Sequence, residues 1–165
     1  MVLRFKVPFT ISILLSILIY APDLYAQKEC IIQKRELKMI RTTFESGASA
    51  KPIDRSGLTT DSVPLIREDD CLFSIAVDTQ PVGYIITSRT MGRYDYFDYS
   101  IIFGKDAAVL KVYITAYRST HGAGIAQKRW LEQFIGYSGG PLRLGKEIDA
   151  VSGGPLSSRA LSDEV

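Results

Sequence analysis

Histidine and cysteine are nearly absent from this chain. His121 is the only histidine among 165 residues, the cysteines are Cys30 and Cys71, and no Cys-x-x-Cys pair occurs. Protein metal sites draw heavily on His and Cys ligands, and hydrolases of the Ser-His-Asp type need a histidine base beside a serine nucleophile motif, which the chain lacks. The composition therefore argues against a metal site and against a hydrolase.

An excess of charge of one sign is also lacking. The formal net charge is +2, with 20 Lys and Arg against 18 Asp and Glu. Proteins that bind nucleic acid or anionic membranes through their overall field carry a larger basic excess. This balance indicates neither type of partner.

The first 26 residues have the pattern of a secretory signal. Arg4 and Lys6 precede an almost wholly apolar run at residues 7–20, and a short segment ending at Ala26 is typical of a cleavage site. The apolar run is shorter than the roughly 20 residues that span a bilayer. We expect a signal peptide of residues 1–26, with an uncleaved membrane anchor as the alternative.

Export would place the protein in the periplasm or at the outer face of the cytoplasmic membrane. Cys30 and Cys71 would then lie in an oxidising compartment, where they can form a disulfide. Two unpaired, partly buried thiols are the other possibility, because the sequence does not show whether the two Cβ atoms meet.

The 139 residues after position 26 suit one domain with its own core. We divide them into an N-terminal helix and loop at residues 27–70 and a main unit at residues 70–165. The apolar spacing at residues 31–44 predicts an amphipathic helix packed on a sheet. Residues 45–70 are rich in Ser, Gly, Pro and charge and predict a long surface loop. Its acidic end, residues 68–70, can be a metal-ligand cluster or a solvated turn, and we favour the turn.

Four β-rich segments follow, at residues 71–77, 82–88, 96–103 and 109–118. The last alternates, so we expect one face made of Leu110, Val112, Ile114 and Ala116 and the other of Lys111, Tyr113, Thr115 and Tyr117. Short strands joined by tight turns, with helices at both ends, predict an α+β fold with an antiparallel sheet of about four or more strands.

Residues 148–159 predict a short strand, a glycine-rich turn and the start of a helix. Gly153 and Gly154 permit a positive φ or a close approach of the backbone, and Pro155 suits the first helical position. The next amides would be free donors at a helix N-terminus, which is suited to phosphate. The residues of this expected anion site are Ser152, Gly153, Gly154, Leu156, Ser157 and Ser158.

Two other segments can contribute to a site. Residues 89–99 combine arginines with tyrosines, which either stack on a planar ring or form ordinary cross-strand pairs. Residues 118–125 contain a His-Gly-x-Gly loop, and a predicted amphipathic helix follows. Its apolar face is Ala126, Trp130, Leu131 and Phe134, and Gly136 is the expected helix stop.

Taken in order, residues 118–125, 128–136 and 149–158 resemble three motifs of the FMN-binding domain family. That family includes exported flavoproteins and the flavin-bearing subunits of membrane redox complexes. The resemblance covers roughly residues 70–162 and implies an FMN-binding-domain-like fold. It also implies FMN as cofactor and Thr120, His121 and Gly122 as flavin-loop residues. From the aromatic segment itself we expect Tyr94 or Tyr96 beside the ring.

The sequence departs from the family motif at the attachment position. Many members carry FMN esterified to a Thr that closes the final motif, and here Pro155 stands at that place while Gly154 stands where Ala is usual. Proline has neither a hydroxyl nor an N–H. Covalent flavin is therefore not expected, although Ser152 or Ser157 can serve as a substitute acceptor.

Two functional hypotheses follow. The first is an exported FMN-binding protein that acts in electron transfer, holds the flavin noncovalently and meets redox partner proteins at the membrane surface. The second is a flavin-free binding or scaffold module that keeps the fold but has lost the acceptor. In neither case does the sequence supply an acid, base or nucleophile for converting a substrate.

Overall fold

The protein is a five-stranded antiparallel sheet with helices on both faces. The computed structural model describes residues 30–54, 67, 70–140 and 142–165, so the predicted signal peptide lies outside the described residues. The strands are β1 (Ser49–Pro52), β2 (Cys71–Val77), β3 (Gln80–Met91), β4 (Tyr96–Gly104) and β5 (Val109–Tyr117). The α-helices are α1 (Lys34–Thr43), α2 (Lys128–Leu131) and α3 (Pro155–Ser162). The predicted α+β class with an antiparallel sheet is confirmed.

The strands follow one another across the sheet in chain order, so each pairs with its sequence neighbour. The four predicted strands are confirmed, although β3 is longer at both ends than its β-rich core. The fifth strand, β1, lies inside the segment predicted as a loop, and that prediction was wrong for Ser49–Pro52. Its sequence has no β-rich pattern because it is an exposed edge strand that pairs with β2 through the main chain.

Each face of the sheet carries its own core. On one face, α1 buries Met39 and Ile40 against β2 and β3, as the predicted amphipathic helix requires. On the other face, the C-terminal segments pack on β4 and β5. The larger side chains of this second core are Phe97, Tyr99, Ile101, Trp130, Phe134 and Leu161. Burial of each large apolar side chain contributes about 1.5–3 kcal/mol, so both helical layers hold the sheet.

The alternation predicted for β5 fails at two points. Leu110 packs with the core under α1, whereas Val112 and Ile114 pack in the opposite core together with Tyr117. The cause is a pair of register shifts between β4 and β5, since each extra residue reverses the side chains that follow. One shift leaves Thr115 without a partner in the ladder and turns Tyr117 towards the C-terminal core.

The continuous helix predicted after residue 125 is not formed. A 3₁₀ turn at Ala123–Ala126, the short α2 and a second 3₁₀ turn at Glu132–Phe134 replace it. Ile125 takes the buried place that was predicted for Ala126, which is exposed. Gly136 ends the segment with a φ of 85°, as expected of a helix stop.

The N-terminal segment is tied to the sheet by a disulfide between Cys30 and Cys71, whose Cα atoms lie 5.4 Å apart. The structure thereby decides between the disulfide and the unpaired thiols. Asp70, next to it, is 3% exposed and accepts a hydrogen bond from the Ser88 hydroxyl, so the solvated turn expected there was wrong for this residue. Residues 68 and 69 lie outside the described part of the chain.

The chain end docks on β4. The Tyr99 hydroxyl donates to Glu164 Oε2 at 2.9 Å, and the Arg67 guanidinium lies 2.8 Å from the same carboxylate. Burial raises the pKa of Tyr99 well above that of a free tyrosine, so the hydroxyl stays protonated and keeps donating. This contact fixes the C-terminal end of α3, whose opposite end forms part of the site described next.

Candidate functional site

The final motif forms a turn that leads directly into α3. Gly153 takes a φ of 75°, the Gly154 amide donates to the Val151 carbonyl at 3.0 Å, and Pro155 is the first helical residue. The turn and the helix start are therefore as predicted. The short strand expected before them is reduced to a single bridge between Leu144 and Ile148.

The first turn of α3 has free donors. Pro155 has no N–H, and within the described part of the chain the Leu156 and Ser157 amides donate to no acceptor. The first amide that is bonded within the helix is that of Ser158, which donates to the Gly154 carbonyl at 2.9 Å. Two adjacent donors at the positive end of the helix dipole suit a bound anion.

The three serines predicted around this turn differ in accessibility. Ser152 is exposed, whereas Ser157 is 1% and Ser158 0% exposed. The Ser158 hydroxyl donates to the carbonyls of Gly154 and Pro155 at 3.0 and 3.1 Å, so its hydrogen bonds lie within the first turn of α3. Of the three hydroxyls, that of Ser152 is the one open to a ligand from solvent.

The loop after β5 is held by the last residue of that strand. The Tyr117 hydroxyl donates to the His121 carbonyl at 2.6 Å and lies 3.3 Å from Ser157 Oγ, which links the loop to α3. Thr120 Oγ1 lies 3.0 Å from His121 Nδ1, and both side chains are exposed. Gly122 ends the loop with a φ of 81°.

Gly122 and Gly154 meet where the loop crosses the turn. A β-carbon placed on Gly122 would lie 2.9 Å from the Gly154 Cα, and one on Gly154 would lie 2.8 Å from the Gly122 Cα. At contacts this short, a side chain at either position would force the two backbones apart. The structure thus brings two of the predicted glycines, 32 positions apart in the sequence, into direct backbone contact.

The tight turn between β3 and β4 completes the cluster. The Tyr94 ring lies 5.3 Å from the His121 ring at an angle of 55°, and the Arg93 guanidinium lies 5.0 Å from the centre of the Tyr94 ring. A β-carbon on Gly92 would come within 2.7 Å of Ser157 Oγ, so this turn also borders α3. We call these three segments, residues 92–95, 117–122 and 152–157, the three-loop site.

Tyr94 and Tyr96 are the exposed aromatic side chains beside the site, at 57% and 50%. Tyr94 contacts the His121 ring, whereas Tyr96 makes no described ring contact and its carbonyl accepts a hydrogen bond from Arg118. A surface tyrosine with an uncovered ring can stack on a planar ligand. Of the two, Tyr94 is the one that contacts a predicted flavin-loop residue, His121.

One functional residue was missed in the sequence. Tyr117 joins the loop to α3, yet the alternation of β5 assigned it to the opposite face from Val112 and Ile114. Only the bulge at Thr115 places it correctly, and no residue type in β5 marks that bulge in advance.

Asp98 lies next to the site on the other face of β4. Its carboxylate is bound by Arg89 at 2.6 Å and by Arg118 at 2.5 Å. Partial burial by itself would raise the pKa of Asp98, but the hydrogen bonds from Arg118 and Arg89 outweigh it and hold the pKa below its usual value. The carboxylate therefore stays ionised and keeps both guanidiniums in place.

Comparison of the chain with protein-family models and with curated proteins finds no match. Within the described residues, no group of three or more His, Cys, Asp or Glu side chains is arranged to hold a metal ion. None of the described helices is long and apolar enough to cross a membrane. The site must therefore be interpreted from its own geometry.

Proposed function

We propose that this chain is an exported FMN-binding protein that acts in electron transfer and holds its flavin noncovalently, on an FMN-binding-domain-like fold. The observation that supports the proposal most directly is that two of the three resembling motifs, residues 118–125 and 149–158, meet the arginine-tyrosine turn in the three-loop site. Segments that lie far apart in the chain contribute a phosphate-type donor pair, a glycine crossing and an exposed aromatic ring.

The residues of the turn fit a phosphate held noncovalently better than they fit covalent attachment of the flavin. The Leu156 and Ser157 amides supply two donors, and the exposed Ser152 hydroxyl is a third candidate. Pro155 offers no attachment atom, and Ser157 as a substitute acceptor is buried against Tyr117. Ser152 is the accessible alternative for covalent attachment.

The ring of the flavin would lie beside Tyr94 and His121, with Thr120 and Gly122 shaping the loop beneath them. When bound, the flavin would supply the redox chemistry by accepting one or two electrons. The protein's own part is to orient it: Arg93 adds positive charge at the rim, and the Tyr117 hydroxyl holds the loop on α3.

The proposed location is the periplasm or the outer face of the cytoplasmic membrane, where other electron carriers would be the partners. The Cys30–Cys71 disulfide supports an oxidising compartment, since such bonds seldom persist in the cytosol.

A flavin-free binding module is the second candidate. Its support is the close crossing of Gly122 and Gly154 together with Pro155 at the acceptor position, because both leave less room and less chemistry for a cofactor than the family motif does. The two candidates share a fold and differ in whether flavin binds.

A visible absorption spectrum decides between them. We expect protein recovered from an oxidising compartment to show flavin bands that move to the supernatant on acid precipitation. Bands that stay in the pellet would mean covalent attachment, which points to Ser152. A colourless protein that also fails to bind added FMN would overturn the proposal in favour of the flavin-free module.

A further inference from the structure

A groove lies on the sheet face that α1 covers, opposite the face that carries the C-terminal core. It has a volume of about 360 Å³ and is lined by α1, by the disulfide and by β3, β4 and β5. Successive residues of β4 separate the two places: Phe97 packs in the C-terminal core with Leu161, whereas the Asp98 carboxylate lines the groove. A cavity of this volume suits a small molecule.

The carboxylates of the groove are engaged by the protein itself. Glu36 is 7% exposed and accepts hydrogen bonds from the Gln33 backbone N–H at 2.7 Å and from the Ser100 hydroxyl at 3.3 Å. Asp98 accepts from two guanidiniums, as described above. Both carboxylates therefore have their hydrogen-bond donors within the protein.

Arg35 is a guanidinium of the groove whose described bond goes to neither of these acids. Arg89 and Arg118 hold Asp98. A guanidinium has five N–H donors in a fixed fork. The described bond of Arg35 goes to an uncharged acceptor, the Thr115 carbonyl, at 2.8 Å.

The bulge in β5 explains why Arg35 is held there. Thr115 is the residue left out of the β4–β5 ladder, so its carbonyl is available to a side chain from α1. This bond orients the Arg35 fork over the groove before any ligand arrives, which reduces the entropy lost on binding.

We propose that this groove binds a small organic anion through a carboxylate or phosphate group held by Arg35, beside the Arg89–Asp98–Arg118 cluster. Ionised acceptors form the strongest hydrogen bonds to guanidinium, often two in parallel. The hydroxyl of Thr87 and the apolar wall made by Ile31 and the disulfide leave room for a short carbon chain.

The test titrates the full chain with succinate, inorganic phosphate and uncharged succinamide and follows backbone amide shifts by NMR. We expect succinate or phosphate to bind, with the shifts centred on Thr87, Thr115 and Ala116, and succinamide not to bind. Comparison of succinate with phosphate shows which anion the groove prefers.

Arg35→Gln should weaken binding at least about tenfold, because it removes a charge-assisted contact. Arg143→Gln is the matched control, since Arg143 is exposed and pairs with Glu147 away from the groove. Both side chains lie on the surface, so both variants should fold.

Three results would overturn the proposal: no anion binding up to about 10 mM, equal weakening by Arg35→Gln and Arg143→Gln, or shifts centred on residues 152–157 instead of the groove. The last would assign the anion to the three-loop site. The flavin spectrum is independent of this titration, so either proposal can fail alone.

Discussion

Gly122 and Gly154 touch backbone to backbone, and this contact joins the loop after β5 to the turn before α3. Close approach and backbone conformation make separate demands here. Gly122 has a φ of 81°, whereas Gly154 has a φ of −136° that any residue can adopt. Gly153, beside it, has a φ of 75° but open space around a β-carbon.

Alanine at these three glycines should separate the two demands. We expect Gly153→Ala to lower the free energy of unfolding by about 1 kcal/mol through backbone strain alone. Gly154→Ala should lower it by about 2 kcal/mol through overpacking alone, and Gly122→Ala by about 3 kcal/mol through both. Urea denaturation measures all three. Equal effects at the three positions would mean that the contact between the two loops does not contribute to the free energy of unfolding.

The phosphate turn is tested by Gly153→Val. A branched side chain at this exposed position should abolish FMN binding by blocking approach to the Leu156 and Ser157 amides, while circular dichroism shows an intact sheet. Gly136→Val is the matched control: Gly136 has a φ of 85° and open space, but lies outside the three-loop site. Unchanged FMN titration in Gly153→Val would rule the turn out as the phosphate site.

The acceptor position is tested by Pro155→Thr. With a flavin transferase co-expressed, the new hydroxyl should become esterified to the FMN phosphate, visible as a fluorescent band that survives denaturing electrophoresis. Pro155→Val restores the amide without the hydroxyl and should stay unlabelled. If Pro155→Thr also stays unlabelled, more than the acceptor residue separates this chain from the covalent flavoproteins it resembles.

The Asp98 cluster predicts a pH dependence. Since the folded pKa of Asp98 lies below its unfolded value of about 3.9, the cluster's contribution is full above that pH and is lost as the pH falls through the folded pKa. Asp98→Asn should therefore lower stability at pH 7 and flatten the loss of stability below about pH 4. Glu132→Gln is the control, because the exposed Glu132 lies 3.6 Å from Lys128 in a local i,i+4 pair on the surface. Parallel acid-unfolding curves for wild type and Asp98→Asn would contradict the assignment.

The disulfide joins residues 41 positions apart and holds the N-terminal segment on β2. Replacing both cysteines by alanine should lower the free energy of unfolding by about 3 kcal/mol, mainly by freeing the unfolded chain. Reductant should destabilise the wild type by a similar amount and leave the double variant unchanged. If reductant also destabilised the double variant, the loss of stability in the wild type could not be assigned to the disulfide.

Much of the fold was predictable because local patterns agreed with the final packing. The amphipathic spacing of α1, the β-rich runs of β2 to β5 and the Gly-Pro start of α3 each require their element whatever surrounds it. The edge strand β1 was not predictable, since its pairing depends on main-chain bonds to β2 and not on its own side chains.

The candidate site divides in the same way. Local sequence patterns indicate its components: a loop with a histidine and glycines, a proline-started helix and an arginine-tyrosine turn. Tertiary structure alone decided that Gly122 meets Gly154, that Tyr117 faces α3 and that Ser157 and Ser158 point inward. For Tyr117 the cause is the bulge at Thr115, because one extra residue reverses the side chains that follow it in β5, whereas the glycine contact and the buried serines depend on how α3 packs on the C-terminal core.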